Sequence, residues 1–237
     1  MNDQQPIMQA EFDSLAKEYT YLLDEAVALS GESSEYFAEY KIADLAKKCQ
    51  GMDAPLNNIL DFGSGIGNSV PYFRKYFVDS SISCAEVSQA SIDFAKARFP
   101  GNELYLKIDD SLNIDSNSYD IVFSACVFHH IPPSEHSYWL KELYRVLKPG
   151  GILAIYEHNP LNPLTVLTVK TSPLDVNAKL IFPRILCKQA TKIGFVNTKI
   201  SYKLFFPKFL SLFKFLEKYM GKLCFGAQYS FITQKPS

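Results

Sequence analysis

The stretch ILDFGSGIG, residues 59–67, constrains this chain more than any other part of it. An apolar run ends in an acid, Asp61, and three glycines follow at alternate positions, Gly63, Gly65 and Gly67. Without a Cβ, the backbone can bend through left-handed conformations and approach a ligand closely. Behind the turn, GNSVPYFRKYF reads as a helix, with Pro71 early enough to sit in its first turn. Strand, glycine turn and helix N-terminus together aim backbone N–H groups at a bound molecule. A dinucleotide site has the spacing G-x-G-x-x-G. That spacing needs a glycine where this chain has Asn68, and the mismatch disfavours an NAD-dependent dehydrogenase. A carboxylate two residues ahead of the turn is a poor neighbour for pyrophosphate and a good one for an ammonium group. The pattern D-x-G-x-G-x-G therefore points to a zwitterionic, amino-acid-like cofactor.

The surrounding sequence alternates. NNILDF, SISCAEVS, ELYLKI, YDIVFSACVF and ILAIYEHN read as short strands, and SQASIDFAKARF and SEHSYWLKELYRVLK as helices among them. This spacing predicts parallel β-α-β units, hence an α/β protein. Two amphipathic helical patterns, about 8–29 and 34–49, precede the first strand, with GESSEY as stop and new N-cap. After Asn159 the rhythm breaks. Residues 160–182 are punctuated by Pro and Asn and read as a lid or insertion. FPRILCKQATKIGF reads as a helix closed by Gly194, NTKISYKLFF and AQYSFITQK as the last strands, and 207–223 as an amphipathic helix between them. The 237 residues fit one domain, with 1–50 as a helical cover and 160–182 and 207–223 as substrate-side insertions.

A hydrophobic content of 47% against 21% charged residues supplies a real core. The N-terminus has no basic start and apolar run of a secretory signal, and Lys208 and Lys214 interrupt the most apolar stretch, so no membrane span is expected. Cys49, Cys84, Cys126, Cys187 and Cys224 are scattered and odd in number. They read as buried thiols in a reducing cytoplasm, and no metal site is expected. The net charge of -1 hides an asymmetry: residues 170–237 carry 12 Lys and Arg against 2 Asp and Glu, and residues 1–169 carry 12 against 23. Either the basic third meets something anionic, or the two parts attract each other within the chain or between subunits of a homodimer.

Taken together, these stretches resemble the class I S-adenosylmethionine-dependent methyltransferases of bacterial type over roughly the first two-thirds of the chain. ILDFGSGIG is similar to the family's first motif, which implies cofactor contacts from Asp61, Gly63, Ser64, Gly65 and Gly67, with Asn68 as a helix cap. CAEVS is similar to the end of the second strand, implying Glu86 on the ribose hydroxyls beside Val87. KIDDS resembles the end of the third, implying Asp109 at the adenine amino group with Asp110 or Ser111 assisting. YDIVFSACVFHHI resembles the fourth strand and the loop bordering the sulfonium, which brings in Ala125 and Cys126. LYRVLKPGGILAIYE resembles the helix, turn and fifth strand, and FDSLAKEY the helix over the cofactor, with Tyr19 near its methionine end. The resemblance implies a Rossmann-like sheet of seven mostly parallel strands with an antiparallel last strand. It also implies S-adenosylmethionine as cofactor and S-adenosylhomocysteine as product.

A sulfonium methyl is already activated, so the protein must supply placement and water exclusion. A base is needed when the acceptor is a neutral hydroxyl. His129, His130 and His158 follow strands at the sheet edge where ligands bind, and are the candidate bases. Glu157 orients His158 only if the chain bends there, because neighbours on a strand face opposite ways. His136 opens a helix and is expected in solvent. EHNPLNPLT and PLDVNAKLIF have the position of a substrate loop, and resemble segments of enzymes that modify surface polysaccharides or small molecules. The helix expected at 207–223 sets Lys208, Ser211, Lys214, Lys218 and Lys222 along one stripe, either solvated or, across 205–223, against anionic lipid or a lipid-linked sugar. O-methylation of a small, carbohydrate-like or lipid-linked acceptor is the leading reading. An RNA methyltransferase is disfavoured by the lack of an RNA-binding module or an N-P-P-Y-type signature. A fold that binds cofactor without turnover is the third reading.

Overall fold

The computed structural model describes residues 30–50 and 56–237, together with Tyr21, Leu22 and Glu25. Tyr19 and nearly all of the helix expected at 8–29 lie outside the described residues. The described part opens with α1 (Ser34–Cys49), where the Ser33 side chain caps the helix by accepting from the Tyr36 N–H. The first α/β units are β1 (Asn58–Phe62), α2 (Val70–Tyr76), β2 (Ser81–Glu86), α3 (Gln89–Arg98) and β3 (Leu104–Lys107). There follow β4 (Tyr119–Ala125), α4 (His136–Val146), β5 (Leu147–His158), α5 (Pro163–Thr171) and a 3-10 turn, Pro173–Asp175. The chain closes with α6 (Pro183–Ile193), β6 (Val196–Lys203), a 3-10 stretch Lys208–Leu216, α7 (Glu217–Met220) and β7 (Gln228–Gln234).

The seven strands form one sheet in the order β3-β2-β1-β4-β5-β7-β6. β1 to β5 pair in parallel, and β7 runs antiparallel to both β5 and β6. Parallel strands need both faces covered, and these strands are apolar on both. Leu60 and Phe62 of β1, with Val122 and Leu153, pack beneath Trp139, Leu140 and Leu143 of α4 and Leu186 of α6. Ile59, Ile121, Phe123 and Tyr156 face the other way, against Ile42 and Leu45 of α1 and Phe73 of α2. Gly194 ends α6 in the left-handed region at φ 115°, the stop that its position in the sequence predicts.

Three local expectations change. Residues 207–223 do not form one α-helix: Leu210 breaks the helical dihedrals, and a 3-10 stretch leads into the four-residue α7. The lysine stripe is lost with it, and Lys214 turns inward to Glu32 at 2.7 Å and the Tyr36 hydroxyl at 2.9 Å. Asn68 does not cap α2; Ser69 holds that position, and the Asn68 Oδ1 accepts from Arg98 at 2.6 Å. His136 is buried, with its Nε2 2.9 Å from the Phe128 and Ile131 carbonyls, because its helix begins under the loop after β4. Cys49 and Cys84 are buried thiols, whereas Cys126, Cys187 and Cys224 are half-buried. No helix among the described residues is long and apolar enough to cross a membrane.

The charge asymmetry resolves partly within the chain. Asp44 of α1 receives Lys203 of β6 at 2.8 Å, its own neighbour Lys48 at 2.8 Å and the Tyr156 hydroxyl at 2.8 Å. Burial works against the Asp44 charge, and the two ammonium groups outweigh it and hold its carboxyl below the usual range. Asp44→Ala would leave half-buried Lys203 and the buried Tyr156 hydroxyl without their acceptor, and Lys48 with Ser230 Oγ in place of a carboxylate. We expect a loss of ~3 kcal/mol in urea unfolding, several times that of Lys75→Ala in the exposed Lys75–Glu39 pair. Equal losses would show that the cluster does not fasten α1 to the sheet.

Candidate functional site

The chain runs to one side of β1 through β2 and β3, then to the other through β4 and β5. Such a reversal leaves a crevice outside the carboxyl ends of the two central strands. A cavity of about 560 Å³ opens there. Its walls come from the glycine turn, the ends of β2, β4 and β5, α1, α5 and the segment after β6.

The three glycines are all left-handed, with φ of 75°, 52° and 76° at Gly63, Gly65 and Gly67. A Cβ at Gly63 would lie 2.4 Å from Val127 Cγ2, and one at Gly67 would lie 3.0 Å from Ala95 Cβ on α3. A Cβ at Gly65 would meet nothing within 4 Å and would project into open space. So the outer glycines let the turn nest against protein, and the middle one keeps room on the cavity side. The Gly65 N–H donates to Glu86 Oε2 at 2.8 Å. Glu86 Oε1 accepts from the N–H groups of Val87 at 2.9 Å and Ser88 at 3.0 Å. One carboxylate thus ties the end of β2 to the turn after β1.

Asp61 is buried on the α1 side, and its Oδ2 makes no hydrogen bond within the protein. Burial, reinforced by repulsion from Glu86, pushes its carboxyl up to about 8 against the pull of Lys41. Ser64 Oγ and Gln228 Oε1 are likewise buried without a partner, and all three residues line the cavity. Buried polar atoms left unpaired are costly. An acid, a hydroxyl and an amide oxygen beside an open Gly65 fit a ligand that brings an ammonium group and further donors.

The other half of the cavity is built on Glu157. Its Oε1 accepts from the N–H groups of Val127 at 3.0 Å and Phe128 at 2.7 Å, and its Oε2 meets His129 Nδ1 at 2.6 Å. His129 Nε2 lies 3.2 Å from Asp175 Oδ1, and His130 Nε2 lies 3.6 Å from the same oxygen. Burial opposes the charge on each of these groups. Attraction to Glu157 and Asp175 outweighs it for His129, which is raised, and both carboxylates are lowered. Burial and the neighbouring His129 push His130 down to about 3, so that ring is neutral. The His158 ring centroid is 5.1 Å from that of His129. Glu157 therefore orients His129 and not His158: successive residues of β5 point apart, and the loop after β4 folds over Glu157. At the end of β4, Cys126 takes φ 58°, and its Sγ lies 3.6 Å from Lys41 Nζ. Burial raises the Cys126 thiol, but Lys41 and His158 outweigh it and bring it to about 7.

Of the residues singled out by sequence, Asp61, Gly63, Ser64, Gly65 and Asn68 line the cavity. So do Glu86, Val87, Ala125 and Cys126, and all three of His129, His130 and His158. Gly67 packs against α3 instead. Asp109, Asp110 and Ser111 are exposed and do not line it. The Ile108 N–H donates to the Glu86 carbonyl at 2.8 Å, and the chain then turns out to solvent, which leaves Ile108 on the wall. Sequence reasoning missed Lys41, which looks like one more charge on an amphipathic helix. It also missed Asp175 and Gln228, which sit far along the chain with no motif around them.

Residues 60–155 match the family described as "Methyltransferase domain". Trans-aconitate 2-methyltransferase of Methylobacterium radiotolerans is 29% identical over 96 residues, 40% of this chain and 36% of that protein. The 2-methyl-6-phytyl-1,4-hydroquinone methyltransferase of Synechocystis sp. is 32% identical over 117 residues, 46% of this chain and 35% of that one. The chain thus spans about a third of the length of these two curated relatives. A SAM-dependent methyltransferase from Archaeoglobus fulgidus shares the fold with a TM-score of 0.66 at 16% identity, covering 86% of this chain and 95% of that one. Residues 60–155 carry the match to a methyltransferase domain, and the fold is the one seen in S-adenosylmethionine-dependent methyltransferase structures. S-adenosylmethionine is the cofactor of this domain, and the unpaired Asp61 and open Gly65 fit it.

Asp61 also generates a pH prediction. Its folded pKa lies above the unfolded value, so the folded protein holds an extra proton between about 4 and about 8. Stability falls as pH rises through that window. Without ligand, Asp61→Asn should flatten this fall and melt higher than wild type above pH ~8. The same variant should weaken S-adenosylhomocysteine binding at least ~10-fold, about 1.4 kcal/mol. Parallel melting curves for the two proteins across pH would remove the unpaired acid from the account.

Proposed function

We propose that this protein transfers the methyl group of S-adenosylmethionine to a hydroxyl oxygen of a small or carbohydrate-like acceptor, anionic or lipid-linked, in the cytoplasm. The observation that carries the reading is that one cavity joins the unpaired Asp61 at the glycine turn to the histidines at the ends of β4 and β5. S-adenosylmethionine supplies an activated methyl on a positive sulfur. In this reading Asp61 and Ser64 receive its ammonium end, Glu86 the ribose, and Val87 and Ile108 flank the adenine. Ala125 and Cys126 border the sulfonium. His129 has both ring nitrogens engaged and shapes the floor, while His130 and His158 face the acceptor. The acceptor hydroxyl loses its proton to this side of the cavity as its oxygen takes the methyl group. Holding the two reactants in line in a closed space contributes up to ~7–11 kcal/mol.

The lipid-linked option draws support from the cavity mouth. Leu164 and Phe209 belong to the lining, yet they are 72% and 80% exposed. Leu212, Phe215 and Tyr219 extend this apolar surface, at 80%, 63% and 74%. Exposed Lys208, Lys218 and Lys222 lie on the same stretch. An apolar rim with cations suits an acceptor whose polar head enters while its tail stays outside.

The test is turnover with labelled cofactor against phosphorylated sugars and lipid-linked sugars. His158→Ala should lower kcat by roughly 10²–10⁴-fold while leaving the cofactor KM nearly unchanged. Phe209→Ser should raise KM for lipid-linked acceptors alone. Cofactor binding without turnover on any hydroxyl acceptor, or methylation of RNA with a steep salt dependence, would sink the O-methylation reading.

A further inference from the structure

The geometry points to a divalent transition-metal site of the zinc type formed by His129, His158 and Asp175, with its open position on the cavity. One donor atom from each of these residues lies within 4.8 Å of the other two. All three residues line the cavity. In a tetrahedral zinc site the ligand atoms stand roughly 3.3–3.5 Å apart, and His129 Nε2 and Asp175 Oδ1 are 3.2 Å apart. Three protein ligands with a fourth position open is the arrangement of reactive zinc sites, as distinct from closed structural ones. Two imidazoles and one carboxylate suit zinc, cobalt, iron or manganese, whereas magnesium and calcium take oxygen donors.

The surroundings favour an ion over a simple His–Asp pair. A ligating histidine usually donates its other ring N–H to a carboxylate, which fixes the tautomer. Glu157 does this for His129 at 2.6 Å, and Glu157 is itself fully buried and held by two backbone N–H groups. Glu157 and Asp175 bring two negative charges to the two sides of one buried imidazole. A proton on that ring balances only one of them, and a divalent ion balances both. His158, which meets Cys126 on one side, brings the second imidazole to within reach of the same point as His129 and Asp175. The Lys179 N–H donates to the His129 carbonyl at 2.7 Å and holds the Asp175 segment against the loop after β4. With an acceptor oxygen at the open position, the ion orients it and lowers its proton affinity. That role rests on the methyl-transfer reading above; the ion site does not.

The experiment is titration of the chelator-treated 237-residue chain with Co(II), followed by its visible absorption bands, then displacement by zinc. The expected result is one ion per chain at micromolar Kd or tighter. His158→Ala and Asp175→Ala should each weaken it at least ~10-fold, and Glu157→Gln by about 10–100-fold. Circular dichroism establishes that each variant is folded, and Asp175→Ala should still bind S-adenosylhomocysteine. Sub-stoichiometric binding, or binding that both ligand variants leave intact, would overturn the site. Cofactor binding without ion binding removes the ion and keeps the methyltransferase reading; ion binding without cofactor binding does the reverse.

Discussion

The arrangement of the acceptor side of the site depends on one buried carboxylate. Glu157 lies at the end of β5, fully inaccessible, and takes two backbone N–H groups and one imidazole from the loop that leaves β4. The loop residues Val127 and Phe128 have no strand partners of their own at that point, so Glu157 supplies acceptors their backbone would otherwise lack. Val127 in turn presses against Gly63, where a Cβ would stand 2.4 Å away. The glycine turn after β1 and the histidine loop after β4 are therefore fitted to each other through contacts that begin at β5. A charge buried this deeply is tolerated only when its lone pairs are used, and the loop conformation follows from that requirement.

Glu86 has the same function on the other side of β1. It accepts three backbone N–H groups, two from its own strand end and one from Gly65. Two acids thus organise the two turns that flank the central strand, while Asp61, at the end of that strand, is left with an unpaired oxygen. The contrast separates acids that build the site from the acid that waits for a ligand. Burial alone does not distinguish them, since all three are buried; hydrogen bonding does.

How much of this was legible in the sequence depended on the range of the interaction. The α/β class, the succession of strands and helices along the chain, and α1 and α6 with their ends all follow from periodicity and from residues such as Ser33 and Gly194, whose effects are local. Asp61, Glu86 and the histidines were legible because strand ends carry them to one edge of the sheet. Asp109 and Asp110 stand outside the cavity lining because a strand end gives a position but not the direction of the next turn, and β3 ends one residue before the chain bends into solvent. Asp175 and Lys41 act across the fold, from an insertion and from a covering helix, and no local pattern marks either. The segment 207–223 has the composition of an amphipathic helix, yet Glu217 accepts from the N–H groups of Phe205 and Phe206, and that closure pulls the segment into a tight 3-10 path.

The basic C-terminal third carries part of the same logic. Lys203 and Lys214 reach back to Asp44 and Glu32 at the start of the described chain, so the last strands and the first helix close over the cavity as one electrostatic unit. Both pairs are partly screened, and neither approaches the strength of the apolar packing beneath α4. Their importance is positional: α1 contributes Lys41, which balances Asp61 and Cys126 across the cavity. Because Ile42 and Leu45 also sink α1 into the core beside Phe73 and Tyr156, the ion pairs fix the helix's position over the site, and with it the place of Lys41, rather than hold it there alone.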